Sequence, residues 1–189
     1  MWFWKWKIKQ LERHATSSKA MPEEVIRHLN LKPGDLVADI GSGSGYYAIQ
    51  FARLVTEKGK VFALDTEERF LEYVKERAQK EGLNNLITVK VKSFEISLPE
   101  NVDFFFLRNV YHHLPEPIKY FVNLRKFLKP QGRIAIIERT QGGFRLFSFK
   151  KHATPEKNIV DTLIRCGFII SSRFDFLPGS CFIIFRKEV

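Results

Sequence analysis

A chain of 189 residues, 44% hydrophobic and 28% charged, is long enough to bury a core as one folded domain. No apolar run approaches the roughly 20 residues of a membrane span, and the two cysteines, Cys166 and Cys181, form neither a metal-ligand spacing nor a disulfide framework. Thirty-one basic against 21 acidic residues leave a net charge of +10, which draws a protein toward nucleic acid, acidic lipid or acidic metabolites.

Residues 1–20 differ in texture from everything that follows. They carry Lys5, Lys7, Lys9, Arg13 and Lys19 against Glu12 alone, with Trp2, Phe3, Trp4 and Trp6 crowded at the start. The lysines interrupt the apolar residues, so the segment lacks the apolar stretch of a signal peptide, and an intracellular, cytoplasmic protein is expected. With period two, Trp2, Trp4, Trp6 and Ile8 share one face and Lys5, Lys7 and Lys9 the other. Residues 1–20 are therefore expected to be a lid over the body or a contact with an anionic membrane surface made through residues 1–9, peripherally. Residues 21–189 show no repeat or linker and are expected to form a single domain.

From Pro22 the pattern is regular. "PEEVIRHLN" predicts a helix with Pro22 at its first position, and "LVADI" a buried strand. "GYYAIQFARLV" has helical spacing, "KVFALD" is a second strand, and "EERFLEYVKERAQKEG" a helix stopped at Gly82. "LITVKVK" alternates and so belongs near a sheet edge. "VDFFFLR", the helix "EPIKYFVNLRKFLK" and the strand "RIAIIE" follow. After a basic-aromatic stretch, "TPEKNIVDTLIRCG" predicts a helix with Thr154 as N-cap, Pro155 at N1 and Gly167 at its end. "FIISSRFDF" and "CFIIFRK" flank the turn "LPGS" and should pair antiparallel. Strand and helix alternating through five strands imply a parallel sheet covered on both faces.

The stretch "LVADIGSGSGYY" places three glycines between a strand and a helix, an arrangement that lets backbone approach a nucleotide-bearing ligand. It fails the dinucleotide spacing, because position 46 is a tyrosine, and the phosphate-binding loop, because no Lys-Ser or Lys-Thr follows. Asp39 stands two residues before Gly41. A carboxylate there repels a pyrophosphate and attracts an ammonium group. Asp65, ending "VFALD", is placed to accept from ribose hydroxyls. A ribose, an ammonium group and no phosphate describe S-adenosylmethionine.

"VADIGSGSGYY", "VFALD", "VDFFFLRNVYHHL" and "LKPQGRIAIIE" resemble, in order, the motifs of class I S-adenosylmethionine-dependent methyltransferases. The nearest subgroup is the small type 11 branch, which includes quinone-biosynthesis and arsenite methyltransferases. The resemblance spans roughly residues 22–189. It implies a three-layer, Rossmann-like α/β fold with a seven-stranded, mostly parallel sheet and an antiparallel last strand. It also implies that Asp39, Gly41, Ser42, Gly43 and Gly45 line the methionine end of the cofactor. Asp65 would hold the ribose with Thr66 beside the adenine, and Arg108 and Asn109 would face the sulfonium side. Where the family often carries an acid at the adenine amino group, this chain has Ser93, with Phe94 able to stack on the base and Glu95 nearby.

Methyl transfer from a sulfonium needs approach geometry and a dry pocket, and a base only when the acceptor loses a proton. His112 and His113, just beyond the fourth strand, are the candidate bases. The chain lacks the Asn-Pro-Pro-Tyr of amide and nucleobase N-methyltransferases and the reactive cysteine set of arsenite enzymes. In "RTQGGFRLFSFKKH", Phe144, Phe147 and Phe149 could line an apolar acceptor pocket with Arg145, Lys150 and Lys151 at its mouth. A small apolar or amphipathic acceptor is the expected substrate. RNA or protein as acceptor is the alternative, since aromatics among cations also suit single-stranded nucleic acid; a cofactor-binding protein without transferase activity is the third.

Overall fold

Runs of Val, Ile, Leu and Phe with no polar alternation become strands where pairing on both sides buries both faces. The computed structural model describes residues 2–92, 95–140 and 153–188. The chain divides into two compact units, one up to Lys92 and one from Ser93.

The first unit begins with helices α1 (Trp2–Thr16) and α2 (Pro22–Leu29). Strand β1 (Leu36–Ile40), helix α3 (Tyr46–Val55), strand β2 (Lys60–Asp65), helix α4 (Glu68–Lys80) and strand β3 (Leu86–Lys90) follow. The strands are parallel in the order β3-β2-β1. Strand β3 is the edge, as its alternating pattern predicts. Helix α4 packs on β2 and β3, and α3 on β1 and β2. The core of this unit is formed around Leu29, Ile49, Phe51, Phe62 and Leu64, all fully buried.

The second unit contains strand β4 (Val102–Arg108), helix α5 (Pro117–Lys126), strand β5 (Leu128–Arg139), helix α6 (Glu156–Arg165), and strands β6 (Phe168–Phe174) and β7 (Ser180–Lys187). The order is β4-β5-β7-β6, with β4 and β5 parallel and β7 antiparallel to both of its neighbours. Phe104, Phe105, Phe106, Phe121, Phe168, Phe182 and Phe185 fill this core. Strand number and direction are those of the Rossmann-like fold expected, with the last strand antiparallel.

Three expectations are corrected. Residues 2–16 form a helix, so the period-two faces do not exist. At 100° per residue Trp4, Ile8 and Leu11 lie on one side and Trp6 on the other; Ile8 is buried and Trp6 exposed. The side chain of Trp2 lies outside the described residues. Second, Leu128 and Lys129 belong to β5 rather than the preceding helix, because Val102 pairs with Leu128 and takes the carbonyl of Phe127 at 2.8 Å; Pro130 also pushes its predecessor toward extended backbone. Third, Pro155 is the N-cap of α6 with extended ψ, and Thr154 makes no side-chain cap.

Candidate active site

The glycine loop between β1 and α3 is shaped by the backbone conformations glycine permits. Gly43 has φ +52 and Gly45 φ +73, in the left-handed region that costs an L side chain energy. A Cβ on Gly45 would also lie 2.5 Å from Cγ2 of Val74, so α3 can start against α4 only without one. Backbone bonds complete the turn: Ser42 N–H donates to the Leu64 carbonyl at 3.0 Å, and Gly45 N–H to the Ser42 carbonyl at 2.8 Å.

Asp65 closes the loop from below. One carboxylate oxygen accepts the Gly43 N–H at 2.9 Å and the other the Glu67 N–H at 3.0 Å. The residue expected to hold a ribose is thus also a staple between the β1–α3 loop and the β2–α4 turn. Each oxygen keeps a second lone pair for an incoming hydroxyl. Asp39 is 4% exposed in β1, Ser42 and Ser44 are buried, Gly41 is exposed, and Thr66 is exposed just past β2. The Ser42 hydroxyl is buried and accepts or donates no hydrogen bond among the described residues. Buried acids, an unsatisfied hydroxyl and no cation between Asp39 and Tyr46 suit a ligand that brings hydroxyl and ammonium donors, and oppose a phosphate.

Helix α1 covers this loop. A Cβ on Gly43 would lie 3.3 Å from Cδ1 of Leu11. Trp4 meets Phe70 edge-on at 5.3 Å, the Arg69 guanidinium lies 4.8 Å from the Trp4 ring, and Lys7 lies over the Phe70 ring at 5.2 Å. Glu12 pairs with Arg77 at 3.0 Å, and Arg77 also bonds Glu81 at 3.1 Å. The contact of Leu11 with the glycine loop has no signal in the sequence beyond helical spacing.

In the second unit, Asn109 follows β4 with φ +54, a conformation asparagine tolerates, and donates its N–H to the Ile137 carbonyl at 2.8 Å. Arg108 is half-buried at the strand end, and Asn109 is exposed. The reversal at Asn109 leads into a single 3-10 turn, Tyr111–His113. Tyr111 anchors that turn: its hydroxyl lies 2.7 Å from Thr162 Oγ1 and donates to the Asn158 carbonyl at 3.2 Å. Burial pushes the phenol up from its ordinary value, partly offset by the Thr162 bond, so it stays a neutral anchor.

His112 and His113 are adjacent in sequence and differ in setting. The His112 side chain is 13% exposed, and its Nδ1 lies 2.8 Å from Glu138 Oε1 on a carboxylate that is 0% exposed. The Arg139 N–H donates to the same oxygen at 3.2 Å. In the tautomer whose Nδ1–H donates to Glu138, Nε2 carries the ring lone pair. His113 is exposed, its ring 3.9 Å from that of His112. Glu138 escaped the sequence reading, although a lone acid ending the apolar run "RIAIIE" was its signal. Cys166 and Cys181 are buried free thiols. Ser93 and Phe94, and the Phe144, Arg145, Phe147, Phe149, Lys150 and Lys151 cluster, lie outside the described residues; Glu95 is exposed.

A strand-loop-helix whose buried acids and glycines suit a ribose and an ammonium group, within this strand order, defines a Rossmann-like nucleoside-binding protein of the S-adenosylmethionine class. The comparisons narrow this. The methyltransferase-domain family profile matches residues 31–163, and the chain belongs to that family, the class I S-adenosylmethionine-dependent methyltransferases of the small type 11 kind. A crystal structure of an S-adenosylmethionine-dependent methyltransferase from Aquifex aeolicus superposes with a TM-score of 0.85 at 31% identity, covering 97% of each chain. A protein-L-isoaspartate O-methyltransferase from Aeropyrum pernix is 31% identical over 120 residues, 64% of this chain and 45% of that protein. A demethylmenaquinone methyltransferase from Oceanobacillus iheyensis is 28% identical over 139 residues, 71% of this chain and 55% of that one. The chain spans about half the length of these curated relatives. The cyclase SpnF, at 15% identity and a TM-score of 0.75 over 90% of this chain and 81% of its own, shares the fold alone. Family and fold make S-adenosylmethionine the cofactor. No helix among the described residues is long and apolar enough to cross a membrane.

Proposed function

We propose that the chain methylates a small apolar or amphipathic acceptor at a heteroatom that gives up a proton. The observation that carries this reading is the His112–Glu138 pair at 2.8 Å on a fully buried carboxylate. In the first unit Asp39, Ser42 and the glycine backbone would hold the amino-acid end of the cofactor, and Asp65 its ribose. When bound, the cofactor supplies a methyl group on a sulfonium that departs as a thioether. Glu138 holds His112 with Nδ1 protonated, and His112 Nε2 takes the acceptor's O–H or N–H proton as the heteroatom bonds the methyl carbon. The proton ends on an imidazolium facing a carboxylate.

The base also separates this reading from its rival. The Aeropyrum relative is named for an O-methyl transfer to isoaspartate, whose carboxylate has no proton to lose at neutral pH. A held imidazole would be idle there. It has work to do on a phenol or amine; the Oceanobacillus relative is named for demethylmenaquinone, a small apolar acceptor.

The test is methyl-labelled S-adenosylmethionine with a cell extract split into lipid, small-molecule, protein and nucleic-acid pools, repeated with His112→Ala. Label in the lipid or small-molecule pool, lost by about 100-fold or more in the variant at unchanged cofactor affinity, is expected. Label in protein or RNA at full rate in the variant transfers the function to the alternative acceptors. Cofactor binding with no label in any pool supports a binding protein without transferase activity.

A further inference from the structure

Away from the loop and the histidine pair, Trp6 is the one aromatic among the large apolar side chains left exposed in the described residues, at 54%. Its neighbours on α1 are cations. Counting 100° per residue, Lys5, Lys9 and Arg13 fall in one stripe about 80° wide with Trp6 at its edge, about 20° beyond Arg13, and all three are exposed. The one acid of α1, Glu12, is turned away onto Arg77. Lys7 is likewise committed, over the rings of Trp4 and Phe70. The free charges of the outward face are therefore all positive, and the inward face is held by Ile8, Leu11 and Trp4.

We propose that this face of α1 docks the protein on an anionic lipid bilayer, Trp6 entering the headgroup layer while Lys5, Lys9 and Arg13 meet lipid phosphates. Indole rings settle at that depth because they present an apolar body and a polar N–H. Each basic side chain near an anionic surface adds favourable energy that salt screens. Geometry favours a plane over a strand of nucleic acid. A 15-residue helix is a rod about 22 Å long, and among its described side chains it offers one exposed ring, Trp6, where single-stranded nucleic acid stacks successive bases on several. Docking requires neither cofactor nor acceptor, so it stands apart from the acceptor assigned above.

The experiment is co-sedimentation of the full chain with phosphatidylcholine vesicles, with and without phosphatidylglycerol, and single-stranded RNA as a competing ligand at equal ionic strength. The wild type should pellet with phosphatidylglycerol vesicles only, and added salt should release it. Lys9→Gln with Arg13→Gln should weaken that partition about thirtyfold, and Trp6→Ser should weaken it independently. Calorimetric cofactor affinity, unchanged in all variants, certifies that the first unit is folded. Failure of the wild type to pellet, equal pelleting of variants and wild type, or RNA displacing the protein from vesicles overturns the proposal.

Discussion

Replacing Asp65 with alanine removes the acceptor of two backbone N–H groups in one step. The Gly43 and Glu67 amides, at 2.9 and 3.0 Å from the carboxylate, are left without it in a part-buried setting. Hydrogen bonds to a charged group contribute about 1.5–3 kcal/mol each, so the variant should lose about 3–6 kcal/mol of stability. For a chain of this size each kcal/mol moves the midpoint by about 2–4 °C, so a drop of at least 6 °C is expected. The measurement is urea and thermal unfolding of the cofactor-free protein, followed by calorimetric titration of S-adenosylmethionine into whatever fraction stays folded. Asp65→Asn should fall between, since its amide oxygen replaces one acceptor while its NH2 faces the other N–H. An alanine variant of undiminished apo stability that has lost cofactor affinity would refute the staple and leave Asp65 a ligand group only.

Gly45→Ala should destabilise by about 2–4 kcal/mol through positive φ and the clash with Val74. Adding Val74→Ala should restore the steric share alone, a coupling that a double-mutant cycle measures directly. Tyr111→Phe should cost about 1–2 kcal/mol by stranding the Thr162 hydroxyl, with turnover falling too if the turn sets His112. Burial pushes the Cys181 thiol from 9.0 up to about 11. The unfolded thiol therefore ionises first, and stability should hold level below pH 9 and decline between pH 9 and 11, a slope that Cys181→Ala reduces. At pH 8 a thiol reagent should label Cys181 only after denaturation.

The sheet was legible because its strands are short apolar runs between glycine and charged turns, and β3 announced its edge position by alternating. Element boundaries were less so. Leu124, Phe127 and Leu128 suit a helix by spacing, and only the pairing of Leu128 with Val102, distant in sequence, draws Leu128 into β5. In α1 the tryptophans at positions 2, 4 and 6 fit period two over a window too short to exclude 3.6; Ile8 with Leu11 held the helical signal. Among site residues, the loop declared itself through glycine spacing and the flanking acids. Glu138 did not, because its pairing with His112 depends on β5 passing beside the turn after β4. The staple made by Asp65 was hidden because its partners, Gly43 at 22 residues' distance and Glu67 at two, offer only backbone.

The bond from Arg77 to Glu12 joins residues 65 positions apart. At ribosomal speeds of about 5–20 residues per second, α1 exists for roughly 3–13 seconds before its docking partner has been made. Throughout that interval both of its faces meet the surroundings, and the lysines that later edge a finished surface serve first to keep a tryptophan-rich segment dissolved. A segment made 65 residues before its partner thus takes its place late, and its settling against α4 marks the moment when the glycine loop acquires its cover.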